Sequence, residues 1–188
     1  TRALLKEAIR ETVANFPVYR TYIDARGQIS DSDRQYIGEA IARAKRRNPM
    51  ESPAPYDFLK SVLLLESPPG ADDSDQYRNR LRFTLKFQQL TGPVMAKGLE
   101  DTACYVFNRF IPANEVGGSP AQFGIPLDEF HRGNLERWRD WPNSMLGTST
   151  HDSKRSEDVR ARLNVLSEMP KEWSAQVVRW RRANKSKK

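Results

Sequence analysis

The sequence predicts a mainly α-helical chain with two short strands. Apolar residues recur at helical spacing through the first half, in stretches otherwise rich in charged side chains. In the second half, two short apolar runs each lead into polar residues and a helix start. A strand of a (β/α) barrel delivers side chains to the barrel mouth in this way. The chain has 188 residues, which is enough for one domain with its own core.

The first two helices are predicted by an apolar stripe and by a cap. Pro17 ends the first helix, whose apolar face is formed by Leu5, Ile9, Val13 and Phe16. Residues 24–31 have the composition of a turn. Ser32 followed by Gln35 fits a capping box, so we expect the second helix to begin there.

Two further helices complete the first half. A short one is predicted over residues 58–65, after a loop with two prolines at 48–55. Residues 67–75 predict a linker in which Asp or Ser caps the next helix. That helix has a broad apolar face, formed by Tyr77, Leu81, Phe83, Leu85 and Phe87.

The second half mixes short apolar runs with helices and a glycine-rich loop. Residues 93–96 and 145–150 are the two candidate strands. Between them, residues 100–110 predict the beginning of a helix, 114–124 a loop, and 126–138 a helix.

Two helices follow the second candidate strand. Ser156 is placed to cap the first, and Pro170 to begin the last. Trp173 and Trp180 fall on one stripe of this last helix, so we expect them in the core.

Composition restricts the classes of function. The net charge is +7, but the last eight residues, RRANKSKK, carry five of the 31 basic residues. No apolar run is long enough to cross a bilayer. The single cysteine, Cys104, cannot form an internal disulfide, which favours a reducing, cytoplasmic compartment, and its apolar context predicts burial. One cysteine and two histidines cannot supply a zinc site.

Three polar clusters carry alternative interpretations. His151-Asp152 is either a solvated turn before a helix or a carboxylate that stabilises positive charge on a sugar ring carbon, beside a histidine that binds a hydroxyl. Glu100 and Asp101 fit the N-terminus of a helix as partners of its dipole, which leaves Lys97 unexplained. The third cluster is Asn114-Glu115, before two glycines, and turn formation explains most of it.

Four segments of the chain match one known family. They are FPVYRTY at 16–22, TGPVMAKGLEDTACY at 91–105, NEVGGSPAQFG at 114–124 and MLGTSTHDSKRSEDVRARLNVLSEMPKEW at 145–173. These segments resemble the maltooligosyltrehalose synthases, which are α-amylase-like enzymes. The similarity extends along nearly the whole chain and fades in the basic tail. Its most specific part is the combination of THD with KRSEDVR.

The resemblance implies a (β/α)₈ barrel with helical insertions. Residues 1–88 would be a helical insertion, and residues 89–188 a partial barrel, with units like the sixth and seventh strand-helix pairs and a basic tail. The implied enzyme belongs to trehalose biosynthesis and isomerises the reducing-end α-1,4 bond of a maltooligosaccharide to an α,α-1,1 bond. The implied mechanism is retaining, uses three carboxylates and needs no cofactor or metal.

The resemblance also implies roles for individual residues. Asp152 matches the aspartate that stabilises the transition state, and His151 its substrate-binding neighbour. Lys97 and Lys154 match positively charged positions near the reducing-end sugar, and Glu100 is assigned to substrate binding with them.

The nucleophile and the general acid lie on earlier strands in this family. The nearest match in the first half is Asp24 in YIDARG, where the order of Asp and Arg is the reverse of the family's. We therefore expect an internal fragment that is inactive alone, because retaining chemistry needs two carboxyl groups roughly 5 Å apart. Apolar surface exposed by a cut barrel predicts self-association.

Two alternatives remain at this point. One is a hydrolase of the same family, which would create reducing ends where isomerisation removes them. The other is a helical nucleic-acid-binding or protein-binding module that uses the basic tail. The resemblance favours a maltooligosaccharide as the partner, with neither nucleic acid nor membrane. DNA binding that is steeply salt-dependent and is lost on deletion of residues 181–188 would favour the binding module.

Overall fold

The computed structural model describes residues 2–50, 52–66, 74–120, 122 and 124–187. Across these residues the chain is helical and contains no strand. It divides into two compact units, Thr1–Asp101 and Thr102–Lys188, each of which is described by itself. Most of the linker predicted at 67–75, including its cap, lies outside the described residues.

Four helices build the first unit, and their packing confirms the predicted helical first half. Helix α1 packs against the other three, and α3 also packs against α2 and α4. The helices are α1 (Arg2–Ala14), α2 (Asp31–Arg47), α3 (Ala54–Leu63) and α4 (Ser74–Met95).

All four helices contribute to one apolar core. The stripe on α1 faces this core as predicted, with Ile9 and Val13 packed against it. The rings of Phe16 and Phe87 meet edge to face with their centroids 5.8 Å apart, which joins the end of α1 to α4. The buried members are Ala8, Phe16, Ile23, Ile37, Ala40, Ile41, Ala44, Tyr56, Leu59, Leu63, Leu64, Leu65 and Phe87.

A buried glutamine on α4 satisfies the backbone of the segment between α1 and α2. Gln88 Oε1 accepts from the backbone N–H of Ile23 at 3.1 Å and from Thr21 Oγ1 at 3.2 Å. Its Nε2 donates to the carbonyl of Ile23 at 2.7 Å. Because Thr21 and Ile23 are buried and not helical, their polar groups would otherwise lack partners, at a cost in folding free energy.

The predicted cap of α2 is wrong by two residues. The capping box is formed by Ser30 and Asp33: Ser30 Oγ accepts from the Asp33 N–H at 3.1 Å, and Asp33 Oδ2 accepts from the Ser30 N–H at 3.1 Å. The other carboxylate oxygen of Asp33 accepts from the Tyr22 N–H at 3.0 Å. This additional contact with the preceding segment favours Asp33 over Gln35 as the reciprocal partner.

The first candidate strand, residues 93–96, is also wrong. Helix α4 continues through Pro93 to Met95 and passes into a π-helical segment, Ala96–Ala103. Proline has no N–H to donate within a helix, so a wider turn beside it accommodates the disrupted bonding. The short apolar run is part of a helix face that periodicity alone cannot distinguish from a strand.

The second unit contains short helices joined by irregular segments. Its three longer helices have no buried residue. The predicted loop at 114–124 is confirmed over its described residues, and Cys104 is buried as predicted. The helices are α5 (Cys104–Val106), α6 (Leu127–Asp140), α7 (Glu157–Val165) and α8 (Pro170–Ala183), with single 3₁₀ turns at Ile111–Ala113 and Lys185–Lys187.

Two expectations for this unit fail. Residues 145–150, the second candidate strand, are irregular and exposed, because a strand needs a neighbour to pair with and the described residues offer none. Trp173 and Trp180 are not core residues: they are 39% and 47% exposed, and their rings meet edge to face at 5.5 Å. They share a stripe as predicted, but no further element covers it among the described residues.

The cap of α2 can be tested by two serine substitutions. Ser30→Ala should lower the free energy of unfolding by about 1 kcal/mol, because it removes the oxygen that accepts from the helix. Ser32→Ala, at the cap that the sequence predicts, should change it by less than about 0.5 kcal/mol, because Ser32 Oγ contacts the Ser30 hydroxyl at 3.0 Å and Ser30 Oγ accepts from the helix. Urea unfolding of the whole chain, followed by far-UV circular dichroism, measures both. A larger loss for Ser32→Ala than for Ser30→Ala would contradict the assigned cap.

Candidate functional site

The His151-Asp152 pair lies in a turn that bonds to itself. Thr150 N–H donates to Ser153 Oγ at 2.9 Å, and Ser153 N–H donates to the Thr150 carbonyl at 3.1 Å. Asp152 Oδ2 lies 3.2 Å from His151 Nε2, and the side chains of His151 and Asp152 are 90% and 67% exposed. The turn therefore fixes its backbone locally and leaves the side chains of His151 and Asp152 accessible.

Glu115 anchors the residues that follow this turn. Its Oε2 accepts from the backbone N–H of Lys154 at 2.8 Å, and its Oε1 accepts from that of Arg155 at 3.1 Å. The Tyr105 ring also faces both cations, with its centroid 5.8 Å from Lys154 Nζ and 5.7 Å from Arg155 Cζ. One carboxylate and one aromatic ring thus connect the THD segment to residues 105–115.

Asn114 fixes the position of its neighbour Glu115. Its side chain is fully buried, and Nδ2 donates to the carbonyls of Cys104 at 3.0 Å and Phe107 at 2.5 Å. These carbonyls lie at the end of α5, so the amide occupies acceptors that a helix end leaves without partners.

The two glycines after Glu115 are required by the backbone. Gly117 has a φ of 71°, in the left-handed region that favours glycine. A Cβ at Gly118 would lie 2.8 Å from the carbonyl oxygen of Ala113 and 2.9 Å from that of Glu115. The Gly-Gly pair therefore lets the chain turn tightly enough to point Glu115 at the segment it anchors.

Glu115 and Tyr105 are the residues that sequence reasoning missed. Asn114-Glu115 was interpreted as a turn, and the turn exists, but both side chains also make contacts distant in sequence. The one sequence signal for Glu115 is a charged residue two positions before Gly117-Gly118, where the chain must turn tightly.

Lys97 and Glu100 lie in the first unit, on the π-helical segment. Lys97 Nζ pairs with Asp101 Oδ2 at 2.6 Å, one turn further along. Glu100 is only 8% exposed, and its carboxylate accepts the hydroxyl of Tyr19. The expectation that Glu100 and Asp101 begin a helix is wrong, since they lie inside a continuous helical stretch that starts with α4.

The five predicted site residues thus form two groups. His151, Asp152 and Lys154 share one turn of the second unit, and Lys97 and Glu100 share one turn of the first.

Asp24, the nearest match to a nucleophile, is engaged in its own turn. Its Oδ1 accepts from the backbone N–H groups of Arg26 at 2.9 Å and Gln28 at 3.0 Å, and its Oδ2 accepts from Arg26 Nε at 2.8 Å. The N–H of Gln28, followed by the Arg26 side chain, lowers the pKa of this carboxyl below its ordinary value of 3.8. Such a carboxylate stabilises a turn and has its oxygens occupied.

Other kinds of site receive little support from the described residues. No group of three or more His, Cys, Asp or Glu side chains among them is arranged to hold a metal. No described helix is long and apolar enough to span a membrane. A groove of about 310 Å³ in the first unit, lined by Leu5, Phe58 and Val62 among others, contains none of the predicted site residues.

Comparison with known sequences supports the resemblance. No family model matches the chain. Two curated proteins, from the CDC 1551 and H37Rv strains of Mycobacterium tuberculosis, are named maltooligosyl trehalose synthase and are each 50% identical to the chain over 90 residues. The match covers 48% of this chain and 12% of each relative, so the chain spans about an eighth of their length.

A solved structure gives the same result. The crystal structure of a maltooligosyl trehalose synthase is 27% identical to the chain and superposes with a TM-score of 0.50, over 96% of this chain and 26% of the other. The chain is thus similar to part of an enzyme in both sequence and fold. The resemblance to the maltooligosyltrehalose synthases is confirmed over that part.

The bonding of Asp24 predicts a dependence of stability on pH. Because the folded-state pKa is lowered, the stabilisation is fully present above pH 3.8 and is lost as pH falls through the lowered pKa. Wild type should therefore have a higher Tm than Asp24→Asn near neutral pH, and the difference should disappear in strong acid. Calorimetry across this range measures it, and a difference in Tm that does not change with pH would contradict the assignment.

Proposed function

We propose that this chain is a segment of an enzyme that converts the reducing-end α-1,4 linkage of maltooligosaccharides to an α,α-1,1 linkage. The observation that carries the proposal is the 50% identity over 90 residues to proteins named maltooligosyl trehalose synthase. The accessible His151-Asp152 turn supports it, because a site for a sugar needs polar side chains that the ligand can reach.

Asp152 is the stabilising carboxylate in this proposal. The retaining mechanism passes through a transition state with positive charge on the ring carbon and the ring oxygen. A carboxylate held close to that charge lowers its energy without itself forming a bond. His151, within hydrogen-bonding distance of Asp152, donates to a hydroxyl of the same sugar.

Lys97, Lys154 and Glu100 bind the reducing-end sugar in this proposal. The Lys97 side chain is exposed, so its ammonium group can reach a hydroxyl while Asp101 limits its movement. The Glu100 carboxylate accepts the Tyr19 hydroxyl and is only 8% exposed, so of the three residues it is the least accessible to a sugar.

The nucleophile and the general acid are supplied by parts of a longer enzyme. In that enzyme, residues 1–88 are a helical insertion and residues 89–188 belong to a (β/α)₈ barrel.

Exposed apolar residues support this arrangement. Helices α6 to α8 contain no buried residue, and Trp138, Trp141 and Leu146 are each more than 70% exposed. Large apolar side chains left exposed in this way fit a surface that another part of a protein covers. In the isolated chain, a second copy provides the cover, and the chain self-associates.

The role of Asp152 is tested in a longer enzyme that carries this chain in place. Asp152→Asn should lower kcat by about 10²–10³-fold, because it removes the charge that stabilises the transition state. Asp158→Asn, the same substitution at an exposed position on α7, is the matched control and should leave kcat unchanged. The assay counts reducing ends during incubation with a short maltooligosaccharide.

Each arm of this assay has a distinct meaning. A falling number of reducing ends indicates isomerisation, and a rising number indicates hydrolysis. The 188-residue chain alone should leave the number of reducing ends unchanged, because it lacks two of the three carboxylates. Turnover by the isolated chain, or full activity of Asp152→Asn, would contradict the proposal.

A further inference from the structure

Glu115 contacts the backbone of the two residues after the His-Asp turn, at Lys154 and Arg155. The distances from its carboxylate oxygens to the two amide nitrogens are 2.8 and 3.1 Å. Hydrogen bonds from N–H groups to an ionised carboxylate are stronger than those between neutral groups. Two such bonds to consecutive amides fix both the position and the rotation of the peptide plane between them.

The backbone around Glu115 is itself held on both sides of the residue. Asn114 is fully buried and bonded to the end of α5, and Gly118 N–H donates to the Glu115 carbonyl at 2.9 Å. The carboxylate therefore projects from a fixed turn, and a fixed acceptor can define the position of the segment that it binds.

We infer that Glu115 is a positioning residue, which places Asp152 and Lys154 for the reaction and does not touch the sugar itself. The inference rests on the proposed function, since it supposes that these two residues face the substrate. Asp152 lies only two residues before the first anchored amide. The hydrogen bonds within the turn fix its internal shape. The contacts of Glu115 and Tyr105 connect the turn to residues 105–115.

The chemistry of the contact distinguishes positioning from a charge effect. Glu115→Gln keeps the shape and one carbonyl acceptor, but its NH₂ group faces one backbone N–H as a second donor. Glu115→Ala removes both acceptors. A positioning role therefore predicts graded losses, with Gln between wild type and Ala. A role of the charge alone predicts equal losses, and a role in packing alone predicts no loss for Gln.

The test uses a longer enzyme that carries this chain in place. We expect Glu115→Gln to lower kcat by about 10-fold and Glu115→Ala by about 10²-fold, since a displacement near 1 Å can cost that much. KM should change far less than kcat, because the substrate contacts remain present but misaligned. Glu168→Gln, the same substitution at an exposed glutamate of the same unit, is the control and should match wild type.

Hydrogen exchange in the same variants supplies a measurement that does not depend on turnover. The amides of Lys154 and Arg155 should exchange faster in Glu115→Gln, while the amides of α2 should be unchanged. The isosteric Gln variant keeps the test valid if Glu115→Ala fails to fold.

The outcomes separate the inference from the proposed function. If Asp152→Asn is inactive while Glu115→Gln and Glu115→Ala match wild type, the positioning role is wrong and the proposed function stands. Equal losses for Gln and Ala, with unchanged exchange at Lys154 and Arg155, would also overturn it. If Asp152→Asn is fully active, the proposed function fails, and the positioning role fails with it.

Discussion

Burial of apolar surface between α1, α2, α3 and α4 is the interaction on which the first unit depends. The non-helical segment between α1 and α2 places Ile23 in this core, and its backbone polar groups would be costly there without partners. Gln88 supplies those partners, and the neighbouring Phe87 packs in the core beside it. These contacts hold α4 near its C-terminal end, and the π-helical segment that carries Lys97 and Glu100 continues directly from it.

The second unit is organised differently. Its three longer helices bury no residue, so short polar contacts determine the position of the THD segment. Asn114 holds Glu115, and Glu115 holds the backbone at Lys154 and Arg155. Such contacts define local geometry well but contribute little net free energy, since each replaces a hydrogen bond to water.

The sequence predicted the helices well where apolar residues formed a clear stripe or proline marked a boundary, as in α1 and α8. It failed where the deciding contact was distant in sequence. Asp33 completes the capping box of Ser30 and also accepts from the Tyr22 N–H, and Glu115 is more than a turn residue because it binds the backbone near Asp152. The prediction of a strand at 93–96 is wrong because a few apolar residues fit a strand and a helix face equally well.

We expect the first unit to fold on its own core, and we propose that the second unit depends on further protein. Amide hydrogen exchange of the 188-residue chain, resolved by helix, measures this difference. Strong protection is expected in α2 and α3 and weak protection in α6, α7 and α8, at a concentration too low for self-association. Equal protection of both sets of helices at that concentration would contradict it.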